Sequence, residues 1–339
     1  MALSSTCCLP LKRKQQLKAC SYLSLLIFST QSNVVMAGTT FKKELERSFA
    51  TAVILTDSDV FTFGFHDFDP NEWFNLEQDN IGTEDSISLR KQITASTLPY
   101  TFEFGDKQDK NRQEITVRLS ALKTEQDVSF ESTVTSDLHK EVVLTGYFDI
   151  ANISKLDEYW SVKSKLGNHL SYYNSQFDYR GNTLEPYRDQ IDGVYVNTYA
   201  WAYIIEPSIT LQYEKPSPWG RWKFSSSWHY FNGIGWGEAN YGDVGNPEGW
   251  YMSNEAKLFY DVTRWGESVS STYASFRRVD LGGDTSHPFG THYYYETSIG
   301  WLITPWFKSS LVDNIGVGLT INYGSTLRGG SLVLFFNQD

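Results

Sequence analysis

The stretch that decides the fold is residues 314–336, which read NIGVGLTINY, then GSTLRG, then GSLVLFF. In its first part, apolar side chains alternate with small or polar ones, so one face of an extended strand is apolar and the other is not. The apolar positions are Ile315, Val317, Leu319, Ile321 and Tyr323. The pattern predicts a hairpin of two strands with one apolar face.

The length of the first strand separates two explanations. A soluble sandwich could contain the same alternation, but its strands are usually about 5–6 residues long. A strand that crosses a bilayer needs about 9–11 residues, and residues 314–323 meet that requirement. We therefore predict an all-β fold, a transmembrane antiparallel β-barrel in the outer membrane of a Gram-negative bacterium, with apolar residues outward and polar residues toward the lumen.

Residues 1–37 are predicted to be a signal peptide. They combine a basic n-region that includes Arg13, an apolar segment at 19–28, and a small-residue cleavage site at 35–37. A membrane-spanning helix is a poorer explanation, because it needs about 20 apolar residues. All three cysteines, Cys7, Cys8 and Cys20, lie in this segment. We therefore expect no disulfide and no thiolate metal site in the mature chain.

Composition favours a barrel and excludes one class of partner. Aromatic residues make up 16% of the chain, as expected if aromatic girdles lie at the two membrane interfaces. The clusters around Trp228 and Tyr293 fit such girdles better than ligand-stacking platforms. The formal net charge is −11, which argues against nucleic acid as a partner because nucleic acid requires a basic footprint.

One helix is predicted ahead of the barrel, over residues 38–53, within an N-terminal unit that we place at 38–55. Phe41, Leu45, Phe49 and Val53 recur at helical spacing and form an apolar stripe. The helix either lies against the periplasmic base of the barrel or enters the lumen as a plug. The barrel itself is placed at residues 56–339.

Alternation predicts about twelve strands in that barrel, an even number as bacterial barrels require. The predicted strands are 59–68, 93–104, 113–123, 140–150, 159–176, 194–213, 221–231, 250–261, 268–280, 292–304 and the two strands of the last hairpin. With the C-terminus in the periplasm, the long connections fall outside the cell and most short ones inside. The strand at 194–213 contains Pro207, which either marks a turn or is tolerated as a local irregularity.

The last strand carries the most specific motif. Arg328, Gly330, Val333 and Phe335 match the polar-x-glycine-x-x-apolar-x-aromatic terminal signal of outer-membrane proteins. A barrel led by a lumenal helix and closed by such a strand resembles the translocator domain of autotransporters, and more narrowly the solitary autotransporter-like barrels without passenger. The resemblance covers residues 38–336. It implies a monomer in outer-membrane lipid and lipopolysaccharide, inserted by the barrel-assembly machinery through its C-terminal strand.

Catalytic and ligand-binding chemistry has little support in the sequence. His66, His169, His229 and His292 are candidate bases, but no local motif supplies a nucleophile and an orienting group. Acidic residues in the outer connections lack the spacing of a calcium loop. They are Glu77, Asp79, Glu84 and Asp85, and Asp178, Glu185, Asp189 and Asp192. We therefore expect no enzyme, no catalytic residue, no cofactor and no metal ligand.

Charges on the polar faces of strands are more informative. Alternation directs six of them toward the lumen, where they either set ion preference in a pore or form a lattice that seals it. They are Glu114, Arg118, Lys223, Glu255, Lys257 and Glu296. The sequence thus predicts a porin-like or structural outer-membrane protein. The alternatives are an adhesin or receptor that binds through its outer loops and, less favoured, an outer-membrane hydrolase.

Overall fold

The computed structural model describes residues 32–57, 62–68, 93–105, 109–128, 137–181, 184–266, 268–286, 291–304, 314–324 and 329–336. Most of the predicted signal peptide, the acidic group at 77–85 and part of the predicted terminal signal lie outside these residues. Within them, no helix has the length and apolar character needed to cross a membrane.

The described strands form a closed antiparallel barrel in which each strand pairs with its neighbours in sequence and the last pairs with the first. They are β1 (Thr62–Phe68), β2 (Ile93–Phe104), β3 (Asn111–Val128), β4 (Asp137–Lys155), β5 (Trp160–Asp178), β6 (Tyr199–Ser217), β7 (Gly220–Gly237), β8 (Glu248–Trp265), β9 (Ser268–Gly283), β10 (Tyr293–Ile303), β11 (Ile315–Tyr323) and β12 (Gly329–Phe336). The predicted fold class is confirmed.

Alternation along the strands whose side chains the structure describes divides the wall into two faces. In β4, Tyr147 and Asp149 are buried, whereas Phe148 and Ile150 between them are exposed. Large exposed apolar side chains recur around the barrel, among them Leu98, Leu119, Leu144, Leu170, Ile209, Trp228, Ile299 and Val317. Such a surface suits hydrocarbon outside and a polar interior, the reverse of a soluble sandwich.

Strand bounds follow the predicted pattern closely, with one clear correction. The predicted strand 93–104 coincides with β2, while β3 and β4 extend several residues past the predicted 113–123 and 140–150. The strand predicted at 194–213 begins only at Tyr199, because Gly193 (φ +77°) and Asn197 (φ +52°) adopt left-handed conformations that an extended strand excludes. The strand was predicted from residue 194 because Val194 and Tyr195 are apolar, but both residues lie in the turn before β6.

Pro207 does not break β6. It lies opposite Leu166 of β5, and on the other side the ladder to β7 keeps one register from Ile205↔Asn232 to Ser208↔His229. The proline is therefore a local gap in hydrogen bonding within a continuous strand, which keeps the inside-outside parity of the predicted topology.

The helix, α1 (Ser32–Leu55), begins earlier than the predicted residue 38. The intervening sequence NVVMA contains no proline or glycine that would end a helix. A second helix, α2 (Arg188–Ile191), is a single turn in the β5–β6 loop. We use the term loop end for the side of the barrel that carries the β5–β6 and β7–β8 loops, and turn end for the opposite side.

The loop end is expected to face the cell exterior, which cysteine labelling can check. Gln190 is exposed in α2, and Glu158 is exposed in the short β4–β5 turn. Gln190→Cys should react with a membrane-impermeant maleimide on intact cells, and Glu158→Cys should react only after lysis. Labelling of Glu158→Cys alone on intact cells would reverse the orientation.

Leu119 tests which side of the wall meets lipid. It lies near the middle of β3 and is 61% exposed. Leu119→Arg should lower the free energy of unfolding by about 2–4 kcal/mol, because the guanidinium must enter hydrocarbon. The matched control is Ser225→Arg, a lumenal position directly opposite Glu255, which should cost far less. Urea titration of the refolded barrel measures both; equal losses would contradict a membrane-spanning β3.

Candidate functional site in the barrel lumen

The apolar stripe of α1 is buried inside the barrel. Leu45, Phe49, Ala50 and Val53 are almost inaccessible to solvent. They belong to one apolar cluster with inward-facing side chains from β3 through β10 and from the β7–β8 loop, namely Leu122, Val143, Tyr173, Ala200, Ala202, Ile204, Phe231, Val244, Tyr251, Val279, Leu281 and Tyr294. Inward side chains from eight consecutive strands thus pack against this stripe of the helix.

Polar contacts hold the middle of α1 at the loop end. Glu46 is buried and accepts a hydrogen bond from the backbone N–H of Asn246 at 2.9 Å. Lys43 Nζ lies 2.6 Å from Glu46 Oε2, and Lys42 Nζ lies 2.7 Å from Asp243 Oδ1 in the β7–β8 loop. Because Gly245 (φ +88°) has no Cβ, the loop can approach the Glu46 carboxylate closely.

A second loop also reaches α1. Lys43 Nζ lies 3.9 Å from Asp284 Oδ1 in the β9–β10 loop. Partial burial raises the pKa of the Asp284 carboxyl, and the negative charge of Glu46 acts in the same direction. The middle of the helix therefore contacts two loops at the loop end through charged groups.

Glu206 is the centre of a polar cluster deeper in the lumen. Its side chain is 0% exposed, and it accepts hydrogen bonds from three strands. His169 Nε2 of β5 lies 2.6 Å from Oε2, while His229 Nδ1 of β7 and Tyr251 Oη of β8 lie 2.6 Å and 2.8 Å from Oε1. A buried carboxylate requires such partners, since an isolated one is very costly in a dry interior.

Asp57 links the end of α1 to this cluster. It follows the last turn of the helix, where its backbone N–H bonds to the carbonyl of Ile54. Tyr251 Oη lies 2.5 Å from Asp57 Oδ2, and Arg118 Nη1 of β3 lies 3.2 Å from Oδ1. Lys165 Nζ of β5 is 3.9 Å from the same oxygen. One carboxylate thus joins the helix to three strands.

Aromatic rings support the two ends of this network. The Arg118 guanidinium lies 4.1 Å from the ring centroid of Tyr147, a distance suited to a cation–π contact. The Tyr147 and His169 centroids are 4.6 Å apart, and the ring of His229 stacks on Tyr251 at 4.1 Å. Packed rings fix the orientation of the titratable groups. We define the lumenal network as Asp57, Arg118, Tyr147, Lys165, His169, Glu206, His229 and Tyr251.

The inward charges expected from alternation do point into the lumen, and most of them are paired. Glu114 Oε2 lies 2.8 Å from Lys163 Nζ, and Glu296 Oε2 lies 2.8 Å from Arg277 Nη2. Glu255 lies 3.6 Å from Lys257. Lys223 is half-buried and lies opposite Lys257. The Arg277–Glu296 pair joins the neighbouring strands β9 and β10, the Glu114–Lys163 pair joins β3 to β5 past β4, and the Glu255–Lys257 pair lies along β8.

The four histidines singled out in the sequence have different surroundings. His169 and His229 meet at Glu206, whereas His292 is exposed beside the β9–β10 loop. The backbone of His66 pairs with Leu332, and its side chain lies outside the described part of the chain. In the acidic loop group, Asp192 is bonded by Tyr179, Asn197 and Arg188. The absence of a catalytic site stays a prediction.

Sequence reasoning missed Glu206 and Asp57. Glu206 interrupts the apolar run AYIIEPSI, and alternation with Ala202 and Ile204 places it on the inward face. That isolated inward acid was the available signal. The sequence offered no such signal for Asp57, because its role depends on where the end of α1 lies in the lumen.

Comparison with known families decides the assignment. The family model for the solitary outer membrane autotransporter β-barrel domain matches residues 46–338. The chain belongs to this family. It is therefore an autotransporter-type outer-membrane β-barrel domain, located in the outer membrane of a Gram-negative bacterium and surrounded by membrane lipid.

Two solved structures are similar to this barrel at low sequence identity. The β domain of the Bordetella autotransporter BrkA is 11% identical, with 72% of this chain and 90% of that chain covered and a TM-score of 0.44. LpxR from Salmonella typhimurium is 9% identical, with 78% and 92% covered and a TM-score of 0.37. No curated protein matches the chain.

Proposed function

We propose that this barrel is a self-plugged outer-membrane pore whose lumen is closed at rest by α1, and that it is not an enzyme. The observation that carries the proposal is the burial of Leu45, Phe49 and Val53 among inward side chains from eight consecutive strands, β3 through β10. A helix with its side chains is about 10–12 Å across, so it fills much of the lumen of a barrel of this size.

The same closure explains the polar contacts at the middle and at the C-terminal end of the helix. Glu46 meets the loop end through Asn246, and Asp57 meets the wall through Arg118 and Tyr251. Opening of the pore must break these contacts. The ring of paired strands stays intact during opening, since the strand ladders do not depend on α1. Displacement of the helix is therefore the step that controls passage.

Assembly and surroundings follow from the same assignment. The terminal signal at Gly330, Val333 and Phe335 supports insertion by the barrel-assembly machinery through the last strand. The outward apolar surface supports a single barrel in lipid, with lipopolysaccharide around the loop end. Exposed apolar side chains on the described strands β2 through β11 support these partners.

Phe49 provides a direct test of closure in planar bilayers. Phe49→Glu places a charge in the apolar contact between α1 and the wall, which costs several kcal/mol if the contact stays formed. The variant should show frequent open events where the native barrel is mostly closed. Glu44→Gln, on the less buried side of α1, is the control and should behave like the native barrel. A native barrel that conducts steadily and does not respond to Phe49→Glu would refute closure by α1.

A further inference from the structure

One phenol in the lumenal network contacts two carboxylates. Tyr251 Oη lies 2.5 Å from Asp57 Oδ2 and 2.8 Å from Glu206 Oε1. A tyrosine hydroxyl has one proton to donate, so it can form a hydrogen bond to only one of these oxygens at a time. The second short contact then joins two oxygens with no proton between them. The second contact therefore needs either a proton on one of the two carboxylates or a cation beside the three oxygens.

A nitrogen ligand lies beside the three oxygens. The ligand atoms of Asp57, Glu206 and His229 all lie within 4.8 Å of one another, and Tyr251 Oη lies between the two carboxylates. Imidazole, carboxylate and phenolate together suit a borderline transition-metal ion such as Zn²⁺ better than Ca²⁺ or Mg²⁺, which prefer oxygen ligands alone.

We propose that Asp57, Glu206, His229 and Tyr251 form a Zn²⁺-type site that joins the end of α1 to the barrel wall. On binding, Tyr251 Oη forms a bond to the ion and its proton leaves to solvent. His229 takes the tautomer that carries its proton on Nε2, which frees Nδ1 for the ion. The ion adds two positive charges and the departing proton removes one, so the step adds one net positive charge beside the carboxylates of Asp57 and Glu206. The role of the ion in holding α1 rests on the proposed closure; the site itself does not.

Calorimetry of the refolded, chelator-treated protein tests the site. Zn²⁺ titrated in two buffers of different ionisation enthalpy should bind at one ion per chain and release about one proton per ion. His229→Ala should weaken binding by at least about 10-fold, and Tyr251→Phe should abolish the proton release. His139→Ala is the matched control, because this histidine is also lumenal but bonds to Ser175 outside the network; it should change neither quantity.

Three results would overturn the site: no Zn²⁺ binding by the native protein, unchanged affinity in His229→Ala, or the same proton release from Tyr251→Phe. Circular dichroism establishes that each variant is folded, and His229→Gln replaces His229→Ala if the latter does not refold. Conductance plays no part in this readout. A barrel that binds Zn²⁺ and yet conducts freely would refute the closure and keep the metal site.

Discussion

Removal of residues 39–51 is expected to raise the single-channel conductance of the refolded barrel severalfold. The deletion takes out Leu45, Glu46 and Phe49, which pack in the lumen, and keeps Asp57 for the contact with the wall. It leaves every strand ladder intact, because all twelve described strands lie after α1. A helix with its side chains is about 10–12 Å across, so its removal would leave an aqueous path of similar width.

The control for this deletion is the native barrel with the same refolding history. Heat-modifiable migration in gel electrophoresis and β-type circular dichroism should be the same for both proteins, which separates an open pore from a misfolded one. A folded deletion variant with unchanged conductance would mean that α1 does not close the lumen, and the family assignment would stand without it.

The fold was largely predictable because its signal is local. Alternation in 93–104 reproduces β2 to the residue, since each strand must present apolar side chains to lipid on one face. Bounds that depend on backbone conformation were not predictable in the same way. The turn before β6 contains Asn197 at φ +52°, and a left-handed asparagine does not show in an apolar pattern.

The lumenal network was much less predictable, because its members are distant in sequence. His169 and Glu206 meet only through the register between β5 and β6, and His229 joins through the register between β6 and β7. Alternation alone identifies which residues point inward. To predict the height at which each side chain enters the lumen, the length of every strand must be known. To predict the position of Asp57, the depth of α1 in the lumen must be known.

Glu206→Ala is expected to lower the free energy of unfolding by about 3–5 kcal/mol, the usual cost of removing one partner from a buried charged cluster. His169, His229 and Tyr251 would each lose a hydrogen-bond acceptor in a region without bulk water. Arg118 and Lys165 would also lose part of the negative charge that balances them. Urea titration of the refolded barrel, followed by tryptophan fluorescence, measures the change.

Two further variants decide whether the loss comes from the network. Glu248→Ala removes an exposed carboxylate that accepts a hydrogen bond from Tyr230, and a surface change of this kind should stay within about 0.5 kcal/mol. Glu206→Gln keeps the volume and one acceptor oxygen, so it should fall between Glu206→Ala and the native barrel. Because Asp57 reaches the wall through Tyr251, Glu206→Ala should also make α1 more accessible to protease. If Glu206→Ala is as stable as Glu248→Ala, the buried carboxylate does not organise the lumen, and the anchoring of α1 depends on its apolar stripe alone.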